Sequence, residues 1–293
     1  MHIDVTKNVV ITTGSTNSAT PVQTVTITCI ALPDELIFVD CGVFPQVASQ
    51  FRSDMEKRFK WNTSHLLLTH THWDHIFAME AFEDVTVVAS KVGIQYLERN
   101  LKGAFSKEKR EKMAERRFSD DREIADCIKN VKLFLPHVGV KEEFKIGSEK
   151  QVIFRVIGGH SKDSACVHVP AEQILCTGDN LLTCYAQLPG KPVKTLEIFN
   201  YWETLDINRV IPGHGPVVEK EYIGKVQMYF EELISALEVL KVQNLSVKDV
   251  LCHSSLPSYF GKNQPEWIEG GRYHTKWLER NIRFWYKWVG SSE

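Results

Sequence analysis

The sequence lacks the features that mark several large classes of protein. No apolar run reaches the roughly 18 residues that a membrane-spanning helix needs. The N-terminus has no basic segment followed by an apolar core, so we expect no signal peptide. The formal net charge is only −2 over 293 residues, which gives no global electrostatic reason to bind nucleic acid or an anionic membrane. Repeats, low-complexity segments and linkers rich in Pro, Gly or Ser are missing too.

Paired cysteine motifs are also missing. The seven cysteines are an odd number, none form a C-x-x-C pair, and most lie in apolar, strand-like contexts such as TITCI and QILCTG. This pattern favours reduced thiols in the core of a cytoplasmic protein over a disulfide scaffold.

Short apolar runs alternate with helical patterns along the chain, which predicts an α/β or α+β fold. Apolar and polar residues alternate over 25–29, the period of a half-buried strand. Further strands are predicted at 36–39, 66–68, 85–89, 133–135, 152–157, 166–169, 174–176 and 210–211. Helices are predicted at 47–59, within 91–130, at 219–243, from Ser246 and from Pro265.

One domain with a helical C-terminal extension is the simplest division of the chain. It gives a catalytic part over 1–218 and an extension over 219–293 packed on it. The charged segment at about 91–130 is interpreted as a helical insertion, either packed over the core or closing over an active site as a lid. The tryptophan-bearing last helix is expected to pack on the core or on a partner, so an oligomer is open.

The most informative stretch is LLLTHTHWDHI at 66–76, where an apolar strand delivers four metal-ligand side chains. Residues two apart in an extended segment point to the same side, so His70 and His72 can face one point. If the chain then turns into a helix, Asp74 and His75 can face a second point beside the first. Imidazole and carboxylate are good zinc ligands, so this stretch predicts a metal site.

Three later apolar strands also end in a histidine or aspartate beside glycine. His160 follows Gly-Gly, Asp179 follows Thr-Gly, and His214 lies between two glycines. Glycine permits unusual backbone angles and a close approach of the backbone. Ligands at the ends of neighbouring strands are expected to lie close together at one edge of the sheet. Each residue is a weak signal alone, but their order after H-x-H-x-D-H makes the set strong.

This succession, together with Asp40, resembles the metallo-β-lactamase superfamily over roughly residues 1–218. The resemblance implies an αββα sandwich with a binuclear metal site at one edge. Carried over by position, it implies a first metal held by His70, His72 and His160. It implies a second metal held by Asp74, His75 and His214, with Asp179 bridging both. Asp40 would orient a ligand imidazole without touching metal.

Individual residues indicate which branches of the superfamily the sequence resembles. There is no ready match to the cysteine ligand of the secreted β-lactamases, and Asp179 stands where lactonases, glyoxalase II and tRNA-processing enzymes carry a bridging aspartate. His72 argues against flavodiiron proteins. The third motif, GHSKDS, departs from glyoxalase II and the lactonases. No glutathione-binding residues or tRNA-binding arm are found, so a small-molecule substrate is expected and nucleic acid is not.

The resemblance implies a hydrolase with two zinc ions, although the same ligands accept iron or manganese. Metal bound there would lower the pKa of a water toward about 7 and would so supply hydroxide for the cleavage of an ester, lactone, thioester or amide. Asp74 is the candidate for proton transfer. Tyr185 and Lys162 are candidates for substrate binding.

Three other functions stay open. Two metals serve phosphodiester or phosphotriester cleavage equally well. Persulfide dioxygenases of the superfamily keep the H-x-H-x-D-H run with one iron. A metal-bound structural or binding protein without turnover is the third alternative.

Overall fold

Two β-sheets form the middle of the molecule. The structure, a computed structural model, describes residues 2–13, 25–183, 190–257 and 271–289, with side chains in the last range described from 278. In the first sheet the strand order is β1 (Ile3–Asp4), β2 (Val9–Thr13), β3 (Thr26–Ala31), β4 (Leu36–Val39), β5 (Thr63–Leu67), β6 (Thr86–Ser90) and β7 (Val138–Val140). In the second it is β13 (Val218–Glu219), β12 (Arg209–His214), β11 (Ile174–Leu182), β10 (Ala165–Val169), β9 (Val152–Val156) and β8 (Glu143–Ile146).

The helices lie between and after these strands. Within the described residues they are α1 (Pro45–Phe59), α2 (Trp73–Ile76), α3 (Lys91–Lys102), α4 (Lys107–Arg117), α5 (Arg122–Asn130), α6 (Pro192–Glu203), α7 (Glu221–Val242), α8 (Val247–Leu251) and α9 (Gly271–Trp288). Two short 3-10 helices cover Met79–Phe82 and Pro170–Glu172.

The sheets pack face to face because their strands are apolar on both sides. In β4, Ile37 and Val39 point into the cluster between the sheets, whereas Leu36 and Phe38 point into an outer cluster. The inner cluster takes side chains from both sheets, including Phe154 of β9. Buried apolar side chains on both faces of a strand require a further layer outside each sheet.

Helices supply those outer layers. The helices α1, α3, α4 and α5 cover the first sheet, and Ala114, Ile124 and Ile128 of the segment 91–130 are buried in the same cluster as Phe38. The second sheet is covered by α6, α7, α8 and α9, and Trp285 of α9 lies in that cluster. The predicted four-layer αββα sandwich is therefore confirmed.

Most predicted elements are found within a residue or two of their expected bounds, but the strand at 133–135 is wrong. That segment has no regular structure; Leu133 and Phe134 pack on the outer cluster beside it, and Leu135 is exposed. Pro136 has no N–H for a strand ladder. Pairing resumes only after it, where His137 N donates to the carbonyl oxygen of Val87 at 2.8 Å and β7 begins. The predicted helix start at Pro265 lies outside the described residues.

Parallel pairing brings several strand ends to one edge of the sandwich. Strands β4, β5, β6 and β7 run parallel in the first sheet, and β11 runs parallel to β12 in the second. The residues that sequence analysis singles out lie at or after the carboxyl ends of β4, β5, β9 and β12, and in the second half of β11.

The structure can be compared with two expectations from composition, one on membrane-spanning helices and one on cysteines. Among the described residues, no helix has the length and apolarity that crossing a bilayer requires. The six cysteines in the described ranges are all free thiols, and Cys184 lies outside those ranges.

Arg110 fastens the helices of the segment 91–130 to one another. Its Nη1 donates to the carbonyl oxygens of Ile128, Lys129 and Val131 at 3.1, 3.1 and 2.8 Å, and its Nε donates to that of Phe105 at 3.0 Å. The last carbonyls of a helix have no partner within the helix, so this guanidinium from α4 caps the end of α5.

Arg110→Met should therefore loosen this segment while the sheets stay intact. Losing hydrogen bonds from a charged group costs about 2 kcal/mol, and amide exchange over 107–130 should speed up roughly 30-fold. Hydrogen exchange measured by mass spectrometry checks this. Lys109→Met, which changes an exposed neighbour in α4, is the control. Equal exchange in the two variants would contradict the capping role.

Candidate metal centre

Three histidines and one aspartate form what we call the first ligand group. Nδ1 of His72 lies 3.1 Å from Nε2 of His70 and 3.0 Å from Nε2 of His160. Oδ2 of Asp179 lies 3.7 Å from Nε2 of both His70 and His160. The four residues offer one ligand atom each, all within 4.8 Å of one another.

Asp74, His75 and His214 form the second ligand group, directly beside the first. Nε2 of His75 lies 3.3 Å from Nε2 of His214, which lies 3.5 Å from Oδ2 of Asp74. The other oxygen of Asp179, Oδ1, lies 3.1 Å from Nε2 of His75 and 3.5 Å from Nε2 of His214. Asp179 therefore stands between the groups with one carboxylate oxygen toward each.

The structure brings all seven of the ligand residues proposed from sequence to this one place. The extended stretch after β5 presents His70 and His72, and α2 then turns Asp74 and His75 toward the second group. His160 comes from the loop between β9 and β10, whereas Asp179 and His214 come from β11 and β12. Their role as metal ligands stays a prediction.

Asp40 supports one histidine of each group. Its Oδ2 accepts a hydrogen bond from Nδ1 of His75 at 2.8 Å, which leaves Nε2 of that ring for the second group. Thr69 donates to Asp40 through both its backbone N and its Oγ1, each at 2.7 Å. The Thr69 hydroxyl has thereby used its proton, so it accepts from Nδ1 of His70 at 3.1 Å. A buried carboxylate that fixes the tautomer of a ligand histidine raises its basicity as a ligand.

Neighbouring charges shift the pKa values of Asp179 and His75 in the direction opposite to that of burial. Burial alone would raise the pKa of Asp179, but His75 and His214 outweigh it and hold the pKa well below its usual range. Burial alone would likewise lower the pKa of His75, and Asp179 and Asp40 outweigh it and raise the pKa well above its usual range. At His70 burial dominates and the pKa falls well below its usual range, so that ring is neutral and has a lone pair to offer.

The donor set fits divalent cations. Two nitrogens bound to one tetrahedral zinc ion at about 2.0–2.1 Å lie roughly 3.3 Å apart, and the imidazole nitrogens here lie 3.0–3.3 Å apart. Oδ1 of Asp179 is buried and has no hydrogen-bond partner of good geometry, and Nε2 of His75 lies 3.1 Å from it. Without a cation, the raised pKa of His75 keeps a second proton on that ring; a bound cation would replace this proton and would satisfy the carboxylate oxygen.

Gly213 is required where β12 passes Asp179. A Cβ at Gly213 would lie 2.2 Å from Oδ1 of Asp179 and 2.7 Å from the carbonyl carbon of Gly178. Any side chain at this position would push the carboxylate out of its place between the groups.

Asn180 holds the loop that carries His160, and sequence analysis misses it. Its Oδ1 accepts from the backbone N of His160 at 2.7 Å, and its Nδ2 donates to the carbonyl oxygen of Gly158 at 2.9 Å. The available signal was an amide inside a buried strand, directly after Asp179 in LCTGDNLL.

Asp163 is the second support that sequence analysis misses. It is buried, and its Oδ2 accepts from the backbone N and the Oγ1 of Thr71, at 2.8 and 2.7 Å. Thr71 separates His70 from His72, so Asp163 ties the H-x-H stretch to the loop of His160. A carboxylate three residues after a ligand histidine was the signal for this contact.

The candidate substrate-binding residues are less informative. Lys162 is exposed on the loop beside His160. Tyr185 lies outside the residues that the structure describes. Trp73 packs against Phe77 and against Phe118, with ring centroids 5.6 and 5.5 Å away, so the segment 91–130 reaches the helix that bears Asp74.

Comparison with solved structures identifies the fold. The chain is similar to a metallo-beta-lactamase from Pontibacter korlensis, with 17% identity and a TM-score of 0.57 over 79% of this chain and 98% of that one. It is similar to the metallo-beta-lactamase from Hirschia baltica, with 18% identity and a TM-score of 0.57 over 78% and 96%. The stereoselective inverting sec-alkylsulfatase Pisa1 from Pseudomonas sp. matches at 14% identity and a TM-score of 0.63, over 91% of this chain and 47% of that one.

Comparison with protein families identifies the superfamily. No curated protein matches the sequence significantly. The family model described as the metallo-beta-lactamase superfamily matches residues 20–214, which is more than half of the chain. The superfamily includes metal-dependent hydrolases. The chain belongs to the metallo-beta-lactamase superfamily.

Proposed function

We propose that the protein is a hydrolase that holds two divalent cations, in the first place zinc, and cleaves an ester, lactone, thioester or amide. The observation that carries the proposal is the position of Asp179. Its Oδ2 faces His70 and His160, and its Oδ1 faces His75 and His214. A carboxylate shared in this way suits a two-metal site of the kind that clamps attacking and leaving oxygens.

The chain's own residues would divide the work as follows. His70, His72 and His160 would hold one cation, Asp74, His75 and His214 the other, and Asp179 both. Bound there, the cations would supply hydroxide near neutral pH and neutralise charge that develops on the substrate. Asp40 would keep His75 and, through Thr69, His70 in the ligating orientation.

Asp74 is the residue we propose for proton transfer. Its side chain is 17% exposed, against 4% for Asp179, so it reaches the open side of the site. Burial raises its pKa, but the hydrogen bond with His214 and the nearby histidines outweigh burial and lower the pKa below its usual range. The carboxylate is therefore ionised at neutral pH and accepts a proton.

Hydrolysis of a sulfate ester is the second candidate. The likeness to the alkylsulfatase runs over 91% of this chain, whereas the likeness to the two lactamases ends at 78–79%.

A panel of lactone, thioester, β-lactam, phosphodiester and alkyl sulfate substrates, with metal analysis, distinguishes these classes. Two zinc ions per chain with carbonyl hydrolysis supports the leading proposal; one iron with thiol-dependent oxygen uptake overturns it in favour of an oxygenase.

Several further assignments are part of this proposal. Lys162 and Tyr185 are proposed to contact the substrate. The catalytic part is proposed to span 1–218, with 219–293 as its helical extension. A cytoplasmic location is proposed on the strength of the free thiols.

His72→Ala should remove the first ligand group while the fold survives, because the His72 side chain is exposed and leaves no core cavity. Zinc content measured by mass spectrometry should fall by about one ion per chain, with loss of hydrolysis. His253→Ala, a histidine outside both groups, should change neither. Full turnover in His72→Ala would count against the proposed site.

Asp74→Asn should keep an oxygen toward His214 and lose the proton acceptor. At saturating zinc, kcat should fall about 10²- to 10⁴-fold, the usual contribution of a positioned acid or base. Steady-state kinetics beside circular dichroism checks this. Native kcat in a zinc-saturated variant would exclude Asp74 from proton transfer.

Gly213→Ala should displace the Asp179 carboxylate, because the added Cβ would lie 2.2 Å from Oδ1. We expect zinc affinity to fall at least about tenfold at both groups, with loss of activity. Gly224→Ala in α7 is the matched control, since its Cβ would meet only Oε1 of Glu203 at 3.7 Å. Unchanged zinc binding in Gly213→Ala would show that the carboxylate does not bridge the groups.

A further inference from the structure

The last helix, α9, makes a hydrogen bond to Gly190, which lies just before α6 and next to the loop that carries His160. Trp285 is fully buried, and its indole Nε1 donates to the carbonyl oxygen of Gly190 at 2.9 Å. The indole is seated against Phe230 of α7, with ring centroids 4.4 Å apart. A buried carbonyl that loses its donor is costly, so this bond fixes the backbone at Gly190.

Gly190 in turn lies directly on the residue before His160. A Cβ at Gly190 would lie 2.2 Å from the carbonyl oxygen of Gly159 and 2.6 Å from its carbonyl carbon, so the two backbones are in contact. The other side of Gly159 is closed as well: a Cβ there would lie 2.1 Å from Oδ1 of Asn180 and 2.6 Å from Cδ1 of Ile198.

The loop has its own internal hydrogen bonds, but these fix its shape rather than its place. Gly158 N donates to the carbonyl oxygen of Ser164 at 2.8 Å, and Ser161 N donates to Oγ of Ser164 at 3.0 Å. Its place is set by Asp163, which accepts from Thr71, by Asn180, and by the backbone contact with Gly190. Of these contacts, the one with Gly190 depends on α9.

We propose that Trp285 is a positioning residue for the first ligand group. Its hydrogen bond to Gly190 holds the backbone at Gly159, and so the ring of His160, at the distance that the group requires. The consequence for metal rests on the proposed function, whereas the contact does not. No residue of the second ligand group lies on the loop that carries His160, so the effect of Trp285 is one-sided.

Trp285→Phe tests the contact, since it keeps an aromatic ring against Phe230 and removes the N–H. Tyr286→Phe is the matched control: it removes a hydrogen bond from the adjacent residue of α9 to the carbonyl oxygen of Leu245, at 2.7 Å. Hydrogen exchange of the metal-free full chain should be at least tenfold faster over 157–164 in Trp285→Phe alone. Equal exchange over 157–164 in the two variants would overturn the proposal, whatever the protein binds.

Cobalt(II) titration followed by visible absorbance tests the consequence, because the spectrum reports ligand geometry. Trp285→Phe should weaken cobalt binding at the first ligand group about tenfold. Binding at the second, measured alone in the His72→Ala background, should stay unchanged. Gly190→Ala, which pushes on Gly159 directly, should act in the same direction. Equal weakening of both groups, or of neither, overturns the positioning role. A native chain that binds no cobalt contradicts the proposed function instead, and the exchange result still decides the contact.

Discussion

The buried carboxylate of Asp179 is the constraint on which the site depends. It lies inside β11, where an uncompensated charge would cost several kcal/mol. The histidines around it compensate this charge. His70, His72 and His75 follow β5 of the first sheet, whereas His214 ends β12 of the second sheet and His160 lies in the β9–β10 loop. The same charge therefore draws together parts of both sheets. A pair of cations would satisfy it more fully than protons, because each imidazole could then offer a lone pair instead of losing it.

The two ligand groups are held in different ways. The second group depends on Asp40, which contacts His75 directly and lies at the end of β4, one strand away from the stretch that it supports. The first group combines a histidine pair from one sheet with His160 from the other. Its geometry therefore needs contacts across the sandwich, which Asp163 supplies to Thr71 and Asn180 supplies to the loop. The second group also joins the two sheets, because His214 of β12 lies beside Asp74 and His75, so a displacement of one sheet relative to the other would disturb both groups.

The sequence predicts what depends on local pattern. Period-two alternation locates β3, and short apolar runs locate β4 and β5. Ligand-type residues that follow apolar runs identify the convergence of His70, Asp179 and His214, because neighbouring parallel strands run toward the same edge of a sheet. It does not predict partners far apart in the chain. Thr71 and Asp163 are 92 residues apart, and Trp285 and Gly190 are 95 apart. The prediction of a strand at 133–135 fails for a related reason: Leu133 and Phe134 are apolar because they pack on the outer cluster, and pairing begins only after Pro136.

The C-terminal helices show how much such distant contacts add. The superfamily match ends at His214, the last proposed ligand, so the matched region already contains every ligand residue. The pattern of α7 and α9 indicates only apolar faces that cover the second sheet. Yet α9 also brings the indole N–H of Trp285 to the carbonyl oxygen of Gly190, and the backbone of Gly190 contacts Gly159, the residue before His160. In a two-metal site, the separation between the ligand groups sets which substrate oxygens can bridge them. Under the proposed function, the helices beyond the superfamily match are therefore among the physical determinants of what this site cleaves, although their described residues contribute no ligand to it.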